Sequence, residues 1–377
     1  MRIYLDHNAT APLRPEARDA MVAFLGPPSN PSSAHREGAR ARAAVDAARA
    51  DVAALVGAAP GEIVFTSGAT EANNLALRGA LGFAGAPATL VTTAIEHTSV
   101  LEPAHALAGA RLRVVGVDAE GRVGVEAMRA AATGAALASV GLANGEVGTV
   151  APLAEIAAAV RPAGVLLHSD AAQAVGRIPV DVRRLGVDLL SLSSHKLGGP
   201  AGVGALWLRP GVRIAPLHLG GPQERGRRAG TENVAAIAGF GAAARAALQE
   251  LSAEQARARA LTDRLWEGLV ARVPGVVRNG PARERLPNTL NVSFAGCAGE
   301  SIVVLLDLAG VAVSAGSACA AGAVEPSHVL LAMGRDTTAA RGGIRLSVGP
   351  TTTAADIDRV LDLLPPLVRQ VRSGAAA

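Results

Sequence analysis

The sequence predicts an α/β protein: a large unit with a mainly parallel sheet between helices, followed by a smaller α+β unit. Three observations carry this. Short runs of Val, Ile and Leu alternate with Ala-rich helical stretches, the pattern of a parallel sheet covered on both faces. His97, Asn144, His168, Asp170, Gln173, His195 and Lys196 fall at or just past the ends of those runs, where open α/β sheets bind ligands. Beyond Ala256 the order changes, and TLNVSF, VAVSAGS and GGIRLSVG alternate with helices in a second pattern. Residues 1–14 therefore read as an arm able to join the small unit, 15–255 as the large domain and 256–377 as the small one.

In chain order, Ile3 to Asp6 is a short strand, and the HNATAP loop after it carries Asn8. PPSNPSSAHREG is a Pro- and Ser-rich loop, and Glu37 to Val56 an amphipathic helix. Ile63 to Phe65 is a strand, SGAT a tight turn holding Ala69 and Thr70, and Glu71 to Leu81 a helix. A Gly-containing turn that opens a helix aims unpaired N–H groups at one point and suits a phosphate. Thr70 as a plain helix cap accounts for the same residues. Strands at Thr89 to Thr93, Ala135 to Leu142 and Val165 to Leu167 end in Glu96-His97, ANGEVG and HSDAAQAVG, with a helix at Leu153 to Val160. Val187 to Leu192 and Val203 to Leu208 are strands flanking Ser193, Ser194, His195, Lys196 and a Gly-Gly-Pro turn. After the Gly- and Arg-rich loop HLGGPQERGRRAGTEN, separate helices are expected at Val234 to Leu251 and Leu261 to Ala271. The small unit's own helices fall at Ser301 to Leu308, His328 to Met333 and Ala354 to Val371.

Lys196 is the sole lysine among 36 Lys plus Arg. Arg stays charged in any site, whereas a lysine amine can lose its proton and attack a carbonyl to form a Schiff base. A solitary surface lysine in an Arg-rich chain is the bland alternative. Asp170 has no basic neighbour in sequence, so a buried carboxylate there needs a cation from elsewhere. A pyridinium nitrogen would supply one, as in pyridoxal phosphate sites.

Composition narrows the rest. Half the residues are hydrophobic but only 2% aromatic, so the core is built of Ala, Val and Leu. The net charge of +4 comes with no aromatic-interleaved basic patch, which argues against nucleic acid. No apolar run reaches the ~18 residues of a membrane span, and Met1 leads straight into RIYLD without a signal peptide. Cys297 and Cys319 are too few for a disulfide framework, so a cytoplasmic location is expected.

The motifs SGAT, EH, DAAQ, SSHK, RAGTEN, SGSAC and IRLS, in this order, resemble the cysteine desulfurases of the NifS/IscS type. These are fold-type I pyridoxal phosphate enzymes of the class V aminotransferase group. The similarity spans YLDHNAT to the last helix, and VSAGSACAAGAVEPSHVLLAMG resembles the subgroup with an extended, mobile cysteine loop. The resemblance implies a pyridoxal 5'-phosphate cofactor carried on Lys196, which would also move the substrate Cα proton. Asp170 would pair with the ring nitrogen, Gln173 with the ring phenolate, and His97 would stack on the ring and act as an acid–base group. Ala69, Thr70, Ser193 and His195 would hold the phosphate, with Thr231 reaching in from the second subunit of a homodimer. Asn8, Asn144 and Arg345 would lie near the substrate, an Arg fork suiting its carboxylate. Cys319 would receive sulfur from L-cysteine. No resident metal is implied, although Cys319 would transiently meet an iron–sulfur cluster if the acceptor is such a scaffold.

Two departures stand out. The family usually reads Asn-Asn-Glu where this chain has Asn144-Gly145-Glu146. The chain also ends soon after Val371, short of the longer segment with which housekeeping members meet an iron–sulfur scaffold. The same fold supports selenocysteine lyases and aminotransferases, and a silent cofactor-binding partner protein is the rival from another class. Lys196 and Cys319 together argue against the silent version.

Overall fold

The computed structural model describes residues 2–84, 88–108, 111–315 and 326–374. Its main sheet has seven strands in the order Ile63–Thr66, Gly204–Leu208, Leu189–Ser193, Leu166–Asp170, Leu137–Ser139, Leu90–Thr93, Leu112–Val115. Leu189–Ser193 and the four strands beyond it run parallel, while Gly204–Leu208 is antiparallel to both neighbours. The sheet presents apolar side chains on both faces, as a covered parallel sheet requires. One face contributes Ile63, Leu190, Leu192 and Trp207 to the largest core, and the other places Val64, Leu189, Leu206 and Leu208 in a second. The edge strand Leu112–Val115 is absent from the sequence reading because its alternation is broken: Arg113 and Val114 are exposed and only Val115 is buried.

With few rings to fill space, helices approach closely. A side chain on Gly241 would bring its Cβ within 2.5 Å of the Ala48 Cα, so helices Arg36–Leu55 and Val234–Arg272 meet backbone to backbone. Gly204 does the same for the site: a Cβ there would lie 2.6 Å from the Gly68 backbone. That contact seats the SGAT turn against the end of the strand next to Lys196.

The two helices expected around residue 256 are one, Val234–Arg272, of 39 residues. Its polar middle suggests a break, but residues 249–260 hold no Gly or Pro and the segment bridges two cores instead, a setting in which a helix polar all round survives. Phe240, Ala243, Ala244 and Ala247 pack into the large core, whereas Ala258, Leu261, Leu265 and Leu269 pack into another, with Leu290, Ile344 and Ile357. Between them Arg257 forks onto Glu254 and donates to the carbonyls of Gly349 and Thr352.

The core that holds Leu290, Ile344 and Ile357 covers an antiparallel sheet ordered Ser314–Ala315, Gly343–Ser347, Thr289–Phe294, Val276–Asn279. The N-terminal strand Ile3–Tyr4 pairs in parallel with Val311–Ala312, and Ile3 and Leu5 are buried in this core. The arm then crosses to the large sheet, where the Ala11 N–H donates to the His195 carbonyl at 2.9 Å. This crossing lays Asn8 and Ala9 over the lysine.

Candidate active site

A cavity of about 810 Å³ opens at the carboxyl ends of the parallel strands, where the arm, the main sheet and the strand bearing Arg345 meet. Lys196 forms its floor. The strand Leu189–Ser193 ends in a single 3-10 turn, Ser194–Lys196, that turns the side chain back over the sheet. Its Nζ donates to the carbonyls of Asn8 at 2.7 Å and Ala9 at 2.9 Å. Burial, with Arg177 and Arg345 nearby, lowers the amine to about 8, within reach of the neutral, nucleophilic form.

Asp170 closes the neighbouring strand, one register from the lysine strand. Its Oδ1 accepts from the Ala172 N–H at 2.9 Å and its Oδ2 from Asn73 Nδ2 at 2.8 Å. The other Asn73 amide hydrogen goes to Ser99 Oγ at 2.9 Å. His97 Nδ1 accepts from the Ser99 N–H at 3.1 Å and lies 2.8 Å from Ser99 Oγ. With Nδ1 accepting from the main chain, the ring keeps its proton on Nε2. Burial lowers His97, against the pull of Asp170. Asn73 thus links the acid and the imidazole, yet the sequence reading missed it. The available signal was two consecutive asparagines inside the helix Ala69–Ala84, where Asn is a poor helix former.

Gln173 and Arg345 occupy the arm side. Gln173 Nε2 donates to the Asn8 carbonyl at 3.0 Å, and its Oε1 accepts from Arg177. Arg345 Nη2 pairs with Asp6 Oδ1 at 2.8 Å while Nη1 donates to the Gly145 carbonyl at 3.2 Å. Gly145 has a local reason. A Cβ there would lie 2.7 Å from Gln173 Nε2 and 2.9 Å from its Cγ and Cδ, so a larger residue and this glutamine conformer exclude each other. The Asn8 side chain donates to the Gly145 carbonyl and Thr289 Oγ1, and accepts from Asn288. Asn144 spends its side chain within its own loop, donating to the Ile95 carbonyl and accepting from the N–H groups of Glu146 and Val147. Both residues line the cavity, but these contacts hold the loop and arm together.

At the far end, Ala69 and Thr70 open a helix beside Ser193 and His195. His195 Nδ1 lies 3.1 Å from Thr10 Oγ1, and burial with Lys196 and Arg177 nearby lowers the ring to about 4. Glu96 and His328 also line the cavity, and His328 Nε2 donates to the Glu96 carbonyl at 3.0 Å.

Three residues lie elsewhere. His168 is fully buried within the sheet between Ser139 Oγ (2.8 Å) and Ser191 Oγ (2.9 Å), a cross-strand polar row rather than a cavity wall. Thr231 lines a separate surface depression with His218 and Arg228. Cys297 is buried in the small core, and burial raises its thiol. Cys319 lies outside the described residues. Among the described residues no group of three or more His, Cys, Asp or Glu could hold a metal, and no helix is long and apolar enough to cross a membrane.

The model of the family described as Aminotransferase class-V matches residues 3–360. The chain is 49% identical to a cysteine desulfurase of Cereibacter sphaeroides over 99% of its length and 97% of that protein. Among solved structures, a NifS-like protein superposes with a TM-score of 0.92 at 37% identity, covering 98% of this chain and all of that one. A structure titled SspA in complex with cysteine matches with a TM-score of 0.82 at 32% identity, covering 94% of this chain and all of that one. The chain belongs to the class-V aminotransferase family, among its cysteine desulfurases.

Proposed function

We propose that this protein is a pyridoxal phosphate-dependent cysteine desulfurase, converting L-cysteine to L-alanine and leaving the sulfur as a persulfide on Cys319. The observation that carries the reading is the pairing, in one cavity, of the chain's only lysine with a carboxylate already held by two donors. The donor set fits the cofactor. Lys196 would hold its carbonyl carbon, Asp170 its ring nitrogen, Gln173 its phenolate, and Ala69, Thr70, Ser193 and His195 its phosphate. When bound, pyridoxal phosphate supplies an electron sink for charge leaving the substrate Cα.

The chain's own residues do the rest. Asp170, fixed by Asn73 and Ala172, would present its carboxylate to the ring nitrogen. Lys196 takes the proton from the substrate Cα, and the His97 ring, oriented by Ser99, gives or takes a proton above it. Arg345 offers a guanidinium to the substrate carboxylate, with Asp6 setting its angle. The Cys319 thiolate attacks the substrate sulfur, and the carbon–sulfur bond breaks with its electron pair left on carbon, which is then protonated. The persulfide passes to an iron–sulfur scaffold or another sulfur acceptor protein. Thr231, away from its own cavity, completes the site of the other subunit in a cytoplasmic homodimer. The arm, a large domain to residue 255 and a small domain from 256 are the functional units of this reading.

Product analysis tests it. With L-cysteine the protein should yield alanine in amounts equal to sulfur released. Turnover confined to L-selenocysteine, or conversion of a 2-oxo acid to an amino acid in its place, would overturn the desulfurase reading in favour of a lyase or an aminotransferase.

A further inference from the structure

Arg177 is a half-buried cation behind the site, and no carboxylate lies within ion-pair distance of it among the described residues. Its Nη1 donates to the side-chain Oε1 of Gln173 and, at 3.3 Å, to the Gln173 carbonyl; its Nη2 donates to the carbonyls of His7 (3.0 Å) and Lys196 (3.3 Å). A cation drawn partly out of water without a carboxylate partner gives up hydration that a neutral donor would not, and an amide side chain or a water could bond the same carbonyls more cheaply.

We propose that Arg177 is a positioning residue of the active site, fixing which end of the Gln173 amide faces the cavity and tying the lysine turn to the N-terminal arm. A guanidinium has donors only. Beside it the amide must turn its oxygen inward, leaving Nε2 as the end that faces Asn8 and the cavity. A donor is the end that an anionic ring oxygen requires. The second pair of contacts spans Lys196 and His7 from two distant parts of the chain, so the carbonyls that hold the lysine amine stay in register with it.

The charge has a consequence at Lys196. Burial does most to lower the amine, Arg177 and Arg345 push it further down, Asp170 and Asp6 push it up, and the rings of His97 and His195 also face it. Arg177 is the larger of the two cationic influences. It thereby favours the uncharged amine on which imine formation depends. This inference rests on Lys196 being the cofactor lysine, but its test does not need the loaded enzyme.

Because Lys196 is the only lysine, trace acetylation of cofactor-free protein by acetic anhydride, mapped by peptide mass spectrometry across pH, reads that amine against the N-terminus alone. The midpoint at Lys196 should lie near 8. In Arg177→Gln it should rise by about one unit, and in Arg285→Gln, which removes a buried guanidinium bonded to Asp263 and to the carbonyls of Leu286 and Thr289, it should stay. Arg177→Lys serves where the glutamine variant does not fold. Its shorter side chain drops the forked contacts, and the midpoint at Lys196, resolved from the new lysine by peptide, moves up by less. An ordinary midpoint near 10.5 in the unaltered protein, or an unchanged midpoint in either soluble variant, would overturn the proposal. A wrong cofactor assignment shows differently, as absence of borohydride-fixed cofactor on Lys196 in the loaded protein.

Discussion

Asn73 Nδ2 donates to Asp170 Oδ2 at 2.8 Å across 97 residues of sequence, and its second hydrogen reaches Ser99 beneath His97. One amide therefore sets the aim of both the carboxylate and the imidazole. Asn73→Ala removes a hydrogen bond to a charged group, worth about 1.5–3 kcal/mol, and frees Asp170 to rotate. We expect the dissociation constant for pyridoxal phosphate, followed by absorbance, to rise roughly tenfold or more. Unchanged cofactor affinity would show that Asp170 is held well enough by Ala172 alone.

Gly145 and Gln173 should behave as one unit. Gly145→Ala places a methyl within 2.7 Å of Gln173 Nε2, and Arg177 restrains that side chain from yielding. Cofactor affinity should fall in Gly145→Ala, and adding the change to Gln173→Ala should cost almost nothing more. Strict additivity in this double-mutant cycle would mean that the methyl acts elsewhere.

Glu96 makes stability depend on pH. It is buried, and burial raises its carboxyl to about 7 despite hydrogen bonds from Thr93 Oγ1 and the Gly141 N–H. Between the ordinary value of 4.5 and about 7 the folded state keeps a proton that the unfolded chain has released. This contribution is complete below 4.5 and is lost as pH rises through 7, on the order of 3 kcal/mol. Glu96→Gln should remove it. Relative to the unaltered protein, the variant's Tm should gain as pH goes from 5 to 8; parallel curves would contradict the assignment.

Much of this was legible in the sequence, for physical reasons. Lys196 and Asp170 end apolar strands, so the sheet alone brings them together, and a single lysine among arginines marks itself. His168 shows the limit of that rule: two residues before Asp170 on the same strand, it is still within the sheet and bonds to flanking serines. Asn73, Arg177 and Glu96 were silent because their meaning lies in partners on other elements. The helix Val234–Arg272 was read as two because its middle lacks an apolar face. Polarity there reflects a span between cores, not an end.

The assignment of Thr231 to a partner's site predicts complementation. Lys196→Ala and Thr231→Ala proteins should each be inactive or nearly so, with the former carrying no borohydride-reducible cofactor. Mixed heterodimers should recover activity, since one of their two sites is free of both lesions. Proven heterodimers without recovery, given a damaging Thr231 change, would place Thr231 outside any shared site.

The central claim is that Cys319, not Cys297, takes the sulfur. Cys297 is buried in the small core, where its thiol is raised by burial, and a thiolate is the required nucleophile. One turnover of L-cysteine followed by alkylative trapping and peptide mass spectrometry measures this directly. The account predicts one extra sulfur on Cys319 per alanine formed, with Cys297→Ala retaining most activity and Cys319→Ala none. Sulfur confined to Cys297, or full turnover by Cys319→Ala, would contradict it.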